Sequence, residues 1–199
     1  MRTMRPVQNR RFALLVVLFL AAAGAIAGQS AAQNKEQADD AAALKKFTSS
    51  VNEYLNLRKA IEKQLPALKN KEELPEMIAA HQLALARKIR EARPNAKSGD
   101  IFTREVREAF RHVIRGVFQD PQAAVAHAIF QQQKEAQTVP LKVNGTYPDA
   151  VAETTFPSML LQKLPTLPDE LAYRIKGRDL FLIDKKANLV VDLFHEALP

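Results

Sequence analysis

The chain has 199 residues, with 29 basic and 22 acidic side chains, no cysteine and no tryptophan. The lack of cysteine excludes disulfide bonds, thiol catalysis and thiolate metal ligands together. The formal net charge is +7, and it falls to +3 without the four arginines of the first 11 residues. The rest of the chain has no segment of interleaved basic and aromatic residues, so nucleic-acid binding is not expected.

The N-terminus has the pattern of a secretory signal peptide. Arginines at positions 2, 5, 10 and 11 precede an uncharged apolar run, Phe12 to Ala27, which ends in the small-x-small sequence Ala25-Ile26-Ala27. We therefore predict that residues 1–27 are a signal peptide cleaved after Ala27 and that the protein is periplasmic or secreted. Ser30-Ala31-Ala32 offers a second cleavage site.

Two other readings of the N-terminus stay open. The run without charge extends to Lys35, so an uncleaved helix could anchor the protein in the envelope, although the strongly apolar part is shorter than the ~20 residues of a spanning helix. Arg10-Arg11 also resembles a twin-arginine signal, but the residues around it fit that signal poorly.

Residues 28–43 are predicted as a polar, Ala-rich linker, and residues 44–137 as a helical body. The first helix has a stripe of residues three and four positions apart, ended by Pro66. The stripe favours a helix docked on its own protein over a coiled coil, because three heptads with an arginine among them are short. Its members are Leu44, Phe47, Val51, Tyr54, Arg58, Ile61 and Leu65.

Three further helices follow in the predicted body. The second begins near Pro75 and ends before Pro94, and the third begins at an N-cap, Thr103 or Asp100. Asp120-Pro121 opens the fourth, which ends in the solvated segment 131–137. The predicted apolar positions are Ile78, His81, Leu85 and Ile89 in the second helix, Val106, Phe110, Val113, Ile114 and Val117 in the third, and Val125, Ile129 and Phe130 in the fourth.

Prolines at 140, 148, 157, 165 and 168 predict that residues 138–170 form an extended segment, here called the strap, with one short helical turn at Met159–Leu164. Residues 171–199 are predicted as a three-stranded antiparallel meander, here called the tail. The fold class is therefore α+β, with about four helices followed by the strap and the tail.

The tail contains three aspartates, which we interpret as structural and not as a cation site. A two-residue loop at Lys176-Gly177 would pair Arg174 with Asp179. Asp184 would accept N–H groups of a turn that needs Asn188 in a left-handed conformation, and Asp192 would lie on the solvent side. The apolar run 180–183 predicts a middle strand covered on both faces, and the outer edge of the last strand remains a candidate acceptor for a partner's strand.

Three segments carry a resemblance to known proteins. "SGDIFTREVREAF" (98–110), "VNGTYPDA" (143–150) and "LPTLPDELAYRIKGRDLFLIDKKANLVVD" (164–192) are similar to segments of a group of uncharacterised exported bacterial proteins. The resemblance implies export and a helical half followed by a strap and a β-hairpin tail. It implies no activity, substrate or catalytic residue.

The candidates for chemistry are few. Glu105, Glu108 and His112 share a helix face and could bind a divalent metal if His127 on the next helix faced them, but Glu108–His112 is more typical of an i,i+4 contact. No Gly-x-Ser-x-Gly, Ser-x-x-Lys or phosphate-cradling glycine loop is present. We predict no catalytic, cofactor-binding or metal-binding residue and no cofactor.

These observations favour a non-enzymatic exported binding or interaction module with a protein partner in the cell envelope, no bound nucleic acid and no membrane span after signal cleavage. One alternative is a metal-dependent or carboxylate hydrolase centred on Glu105, Glu108 and His112. Another is an envelope protein tethered by its N-terminal helix.

Overall fold

A computed structural model describes residues 13–67, 74–134, 141–148 and 156–199, with the side chains of 13–31 and 132–134 outside the description. The chain divides into two compact units, Met1–Asp39 and Asp40–Pro199. The described part of the first unit is helical, including most of the predicted linker 28–43. The second unit contains the described helices, strap and tail discussed below.

The predicted α+β architecture is confirmed. Five helices precede three strands in the described part of the chain, and the fifth helix is the predicted short turn of the strap. Their bounds are α1 Ala13–Glu62, α2 Pro75–Ala92, α3 Arg104–Gln119, α4 Ala124–Lys134, α5 Ser158–Lys163, β1 Leu171–Lys176, β2 Asp179–Asp184 and β3 Leu189–Phe194.

The stripe predicted on α1 packs against the rest of its own chain, not in a coiled coil. Phe47, Val51, Tyr54 and Ile61 are buried in the main core. The ring of Phe47 stacks on the ring of Phe102 and packs in a tilted arrangement against the ring of Phe110. The helix ends at Glu62, four residues before the proline that was expected to stop it.

The other helices follow the predicted periodicity with several differences, of which the largest is Val125 on α4, expected on the apolar side but 70% exposed. Ile78 on α2 is half exposed, although the three apolar-face positions that follow it are buried. Val113 on α3 is only partly buried. Helix α4 begins at Ala124 and not at Pro121, because the Asp120 carboxylate accepts the N–H of Gln122 and holds a turn there.

The tail is a meander in the order β1-β2-β3, with both pairs antiparallel. The predicted position of the first hairpin loop, Lys176-Gly177, is wrong by one residue, and the predicted pairing of β1 with β2 is wrong with it. The two-residue loop is Gly177-Arg178, so Lys176 pairs with Asp179 and Arg174 pairs with Phe181. Gly177 has φ 59°, and glycine is the residue that adopts this conformation without a steric cost.

Strand β2 is covered on both faces, as its apolar run predicts. Leu180 and Leu182 belong to the main core, which the helices complete. Phe181 and Ile183 belong to a second cluster, packed under the strap residue Tyr147 and beside Val190 and Leu193 of β3. The strap therefore serves as a lid on the second face of the sheet.

Strand β3 contains a β-bulge, and this bulge changes where its side chains point. Leu182 pairs with Asp192 but Ile183 pairs with Val190, so Val191 is an extra residue in β3. As a result Val191 packs in the main core and Leu193 in the second cluster, although regular alternation would place them on one face.

The outer edge of β3 is occupied by the chain itself. Strap residues pair with it through Asn144 N–H to Val190 O (2.8 Å), Val190 N–H to Gly145 O (2.9 Å) and a bridge between Thr146 and Leu189. Beyond the bulge, Ser98 donates its hydroxyl to the carbonyl oxygen of Leu193 (2.9 Å). A partner's strand therefore cannot pair along this edge while the strap is in place.

Among the helices that the structure describes, none combines the length and the apolar character that crossing a bilayer requires.

Candidate functional site

Asp184 joins the tail to α1. Its Oδ2 atom accepts the hydroxyl of Tyr54 (2.8 Å) and Nε of Arg58 (2.7 Å), and all three side chains are buried. Its Oδ1 atom accepts the backbone N–H groups of Lys186 (3.1 Å) and Ala187 (2.9 Å), which confirms the predicted turn. Sequence reasoning missed the contacts to α1, because they lie 126 and 130 residues away.

The charges around Asp184 shift the pKa values of its two side-chain partners on α1. Burial lowers the pKa of Arg58, but the charges of Asp184 and Glu62 outweigh burial and leave the pKa raised. Burial, together with the charge of Asp184, raises the pKa of Tyr54 well above its ordinary value. Tyr54 therefore stays a neutral hydrogen-bond donor to Asp184 near neutral pH.

Asp192 is fully buried, so its predicted position on the solvent side is wrong. Its carboxylate accepts the backbone N–H groups of Gly99 (3.0 Å), Ile101 (2.7 Å), Phe102 (2.7 Å) and Leu193 (2.7 Å). Burial raises its pKa, and these N–H groups only partly oppose that effect. The loop that precedes α3 covers the strand face that was expected to be wet.

The predicted pair between Arg174 and Asp179 is also wrong. Asp179 accepts from Nδ1 of His195 (2.9 Å) and from the backbone N–H of Glu196 (2.9 Å) at the end of the tail. The three tail aspartates thus bind three separate sets of partners, in agreement with the interpretation that they are structural.

The residues of the proposed hydrolase face are not assembled into one site. Nδ1 of His112 lies 2.9 Å from a carboxylate oxygen of Asp40 on α1. Glu108, the partner that the i,i+4 spacing suggested, is exposed. Glu105 accepts from the hydroxyl of Thr103 (2.9 Å) and is also exposed. In the described ranges, no three histidine, aspartate or glutamate side chains are close enough to hold a metal ion.

A cavity of about 390 Å³ lies beside His112, between α3 and α5. An imidazole oriented by a carboxylate can act as a general base. The described lining offers it no hydroxyl or thiol to activate. The lining residues are His112, Val113, Gly116, Val117, Asp120, Met159, Gln162 and Lys163.

A second concave region lies between the end of α1, the first half of α2 and the β2–β3 turn, and we call it the α1–α2 groove. It consists of two adjoining cavities of about 320 and 460 Å³ that share Leu65, Ala67 and His81. Pro66, Met77, Ala80 and Ala84 complete the apolar cavity, and Lys59, Glu62, Lys63 and Lys186 complete the charged one.

His81 is the buried polar residue of the α1–α2 groove. Its exposed fraction is 8%, and its Nδ1 atom is buried without a hydrogen-bond partner in the described part of the structure. Asn144 and Tyr147 also have such an atom, but neither lines a cavity reported above. From the sequence His81 was only a member of the apolar side of α2, and its place in an otherwise apolar stripe was the one signal of a special role.

The charged cavity is positive. Lys186 forms an ion pair with Glu62, which also accepts from Arg58 (2.8 Å). Lys59 and Lys63 form no salt bridge with any residue that the structure describes, and both are exposed. Sequence reasoning missed this set, because Lys186 reaches α1 only through the folded tail.

Comparisons with known proteins returned no match: no protein family, no curated protein and no solved structure is significantly similar to the chain. The similarity to exported bacterial proteins noted from three segments therefore stays a prediction.

Proposed function

We propose that the protein is an exported, non-enzymatic binding module whose ligand site is the α1–α2 groove. One observation carries the proposal: two adjoining cavities meet at His81, whose buried Nδ1 atom has no partner among the described residues. A mostly apolar concavity with few convergent polar groups is the usual form of a ligand site.

The energetics support this choice of site. A buried polar atom without a hydrogen bond costs about 1–3 kcal/mol, so native structures rarely keep one without a reason. His81 lines both cavities, and although its Nδ1 atom is itself closed to water, a turn of the imidazole would bring that atom to a ligand in the groove. The ligand would gain burial on the apolar side and charge attraction on the other.

The buried carboxylates support a binding role over a catalytic one. Both oxygens of Asp184 and of Asp192 accept hydrogen bonds, from N–H and O–H donors of the helical body and of the tail itself. Such carboxylates stiffen the framework around a site and have no free lone pair directed at solvent.

The N-terminal pattern supports export to the periplasm or the medium, where a protein partner in the envelope would receive or deliver the ligand. The intact mass of protein recovered from the envelope fraction tests this part of the proposal. We expect the loss of residues 1–27. Retention of Met1 would instead support the tethered form.

The two methionines outside the predicted signal peptide provide a test of the site. Met77 lines the α1–α2 groove and Met159 lines the cavity beside His112, so methyl-labelled protein gives one NMR signal for each place. We expect small molecules extracted from the envelope, or a library of apolar fragments, to shift the Met77 signal and leave Met159 unchanged. If no compound shifts Met77, the groove is not the site.

A further inference from the structure

We infer that the ligand of the α1–α2 groove is a small amphipathic anion, a single alkyl chain that carries a carboxylate or phosphate head group. The inference rests on the proposed function and goes further by naming the chemical class. It follows from the separation of the groove into an apolar end and a cationic end, with His81 common to both.

The apolar end has the length and direction for one alkyl chain. Met77, Ala80 and Ala84 lie at spacings of three and four on α2, so they form one line along the helix. Seven residues at 1.5 Å per residue give a line of about 10 Å. Leu65 and Pro66 form the other wall, and none of these five side chains offers a hydrogen bond to a polar ligand.

The cationic end fits an anionic head group. Lys59 lies in the last turn of α1 and Lys63 just after it, and the N–H of Lys63 bonds to the carbonyl oxygen of Lys59 (3.2 Å), so the two are neighbours at the end of the helix. Lys186 approaches the same place from the β2–β3 turn through its contact with Glu62. Three ammonium groups against one carboxylate leave an excess of two positive charges among the lining residues, which attracts an anion and disfavours a cation.

His81 lies where the head group would meet the chain. Its ring lines both cavities, and a neutral imidazole nitrogen either donates or accepts one hydrogen bond, according to the tautomer. Once the imidazole turns toward the groove, a head-group oxygen or a protonated acid at the mouth of the apolar end would supply the hydrogen bond that the buried Nδ1 atom lacks.

The experiment compares ligands with the same chain and different head groups. Full mature protein with methyl-labelled methionine is titrated with octanoate, octyl phosphate, octan-1-ol and octyltrimethylammonium, each below its micelle concentration. The shift of the Met77 methyl signal during each titration gives the affinity of that ligand. We expect the two anions to bind at least about tenfold more tightly than the alcohol, because several positive charges attract the head group together. The two anions distinguish a fatty-acid-like ligand from a phosphate-headed one.

Variants of the lining residues, each with a control variant outside the groove, test the cationic end and the apolar end separately. Lys59→Gln/Lys63→Gln should weaken octanoate binding roughly fivefold, the scale of two exposed charge contacts, and leave octan-1-ol unaffected. Lys45→Gln/Lys97→Gln makes the same change in net charge outside the groove and should have no effect. Ala80→Glu should abolish binding of the anions, whereas Leu83→Glu, on an exposed position of α2 outside the lining, should not.

The outcomes separate the two proposals. Equal affinity for octanoate and octan-1-ol, or no effect of Lys59→Gln/Lys63→Gln, overturns the amphipathic anion and leaves the groove as an apolar binding site. A failure of every ligand to shift Met77 overturns both. Equal shifts of the Met77 and Met159 signals would indicate unspecific binding. A dimer that dissociates when octanoate is added would indicate that a second copy of the chain occupies the groove. Either result overturns the inference.

Discussion

Arg58 and Asp184 carry opposite charges, and their side chains are 3% and 0% exposed. Because the Nε–Oδ2 distance is 2.7 Å, each charge compensates the other where water cannot. Removal of Asp184 leaves the buried Arg58 with only Glu62 as a counter-charge, and removal of Arg58 leaves the Asp184 carboxylate buried without one. Either change generally costs more than removal of both partners. The pair therefore has a larger effect on stability when it is broken than when it is replaced.

We predict that Asp184→Ala lowers the free energy of unfolding by about 3–5 kcal/mol. The double variant Arg58→Met/Asp184→Ala should lose less than the sum of the two single variants, because it leaves no isolated buried charge. Urea unfolding of the four proteins in a double-mutant cycle measures the difference. Additive losses would mean that the two side chains act independently.

Glu62 gives a prediction for pH. Burial raises its pKa, but hydrogen bonds and charges from Lys186 and Arg58 outweigh burial and leave the pKa lowered. A group with a lowered pKa in the folded state stabilises it above the unfolded pKa of about 4.3, and this contribution is lost as the pH falls through the folded value.

The stability difference between wild type and Glu62→Gln should therefore be largest above about pH 5 and shrink as the pH falls below about 4. Urea midpoints from pH 7 to pH 3 measure it. Glu91→Gln removes an exposed pair with Arg87, at 3.8 Å, and should show a small difference at every pH. A constant difference for Glu62→Gln would contradict the lowered pKa.

At the scale of single elements, two glycines should respond in opposite ways to one added methyl group. Gly177 needs φ 59° at the β1–β2 turn, where a Cβ atom is strained. Gly116 lies inside α3, and a Cβ atom there would meet nothing within 4 Å. We predict that Gly177→Ala lowers the free energy of unfolding by about 1–2 kcal/mol and that Gly116→Ala raises it by about 0.5–1 kcal/mol.

Thermal and urea unfolding of the two variants measure this contrast. Each variant serves as the control of the other, since both replace glycine with alanine. If Gly177→Ala left stability unchanged, the β1–β2 turn would tolerate an ordinary backbone conformation and the hairpin would be held by its strands alone.

Helices α2 and α3 and the second half of α1 could be predicted from the sequence, because each has an apolar stripe with a period near 3.6 and a proline or a capping residue near an end. The three strands and the doubly covered β2 were also predictable, since the run from Leu180 to Ile183 does not alternate. Local signals of this kind are enough where a residue's environment depends on its neighbours along the chain.

The register of the tail was not predictable for a physical reason. Lys176-Gly177 and Gly177-Arg178 place the glycine at different positions of a two-residue turn, and both are compatible with the flanking residues. The position of Asp192 was missed because the bulge at Val191 interrupts the alternation and a loop 90 residues away in the chain supplies its N–H donors. The α1–α2 groove, built from α1, α2 and the tail, was missed for the same reason.

At the scale of the whole molecule, the unit Asp40–Pro199 contains the described core, including both apolar clusters. We predict that a chain beginning at Asp40 keeps the stability of the full chain to within about 0.5 kcal/mol, the range of changes that do not touch a core. Thermal unfolding of both forms at equal concentration measures this. A chain that lacks residues 1–39 and fails to fold would show that the body depends on them.

The distance along the chain between partners has a consequence for the timing of folding. Arg58 pairs with Asp184, 126 residues later, and the N–H groups of Gly99, Ile101 and Phe102 bond to Asp192, 90 to 93 residues later. Folding that depends on such remote pairs is slow, and domains complete it only after their last elements are available. The helical half and the tail therefore complete each other's buried polar contacts, so we expect neither half to fold stably by itself.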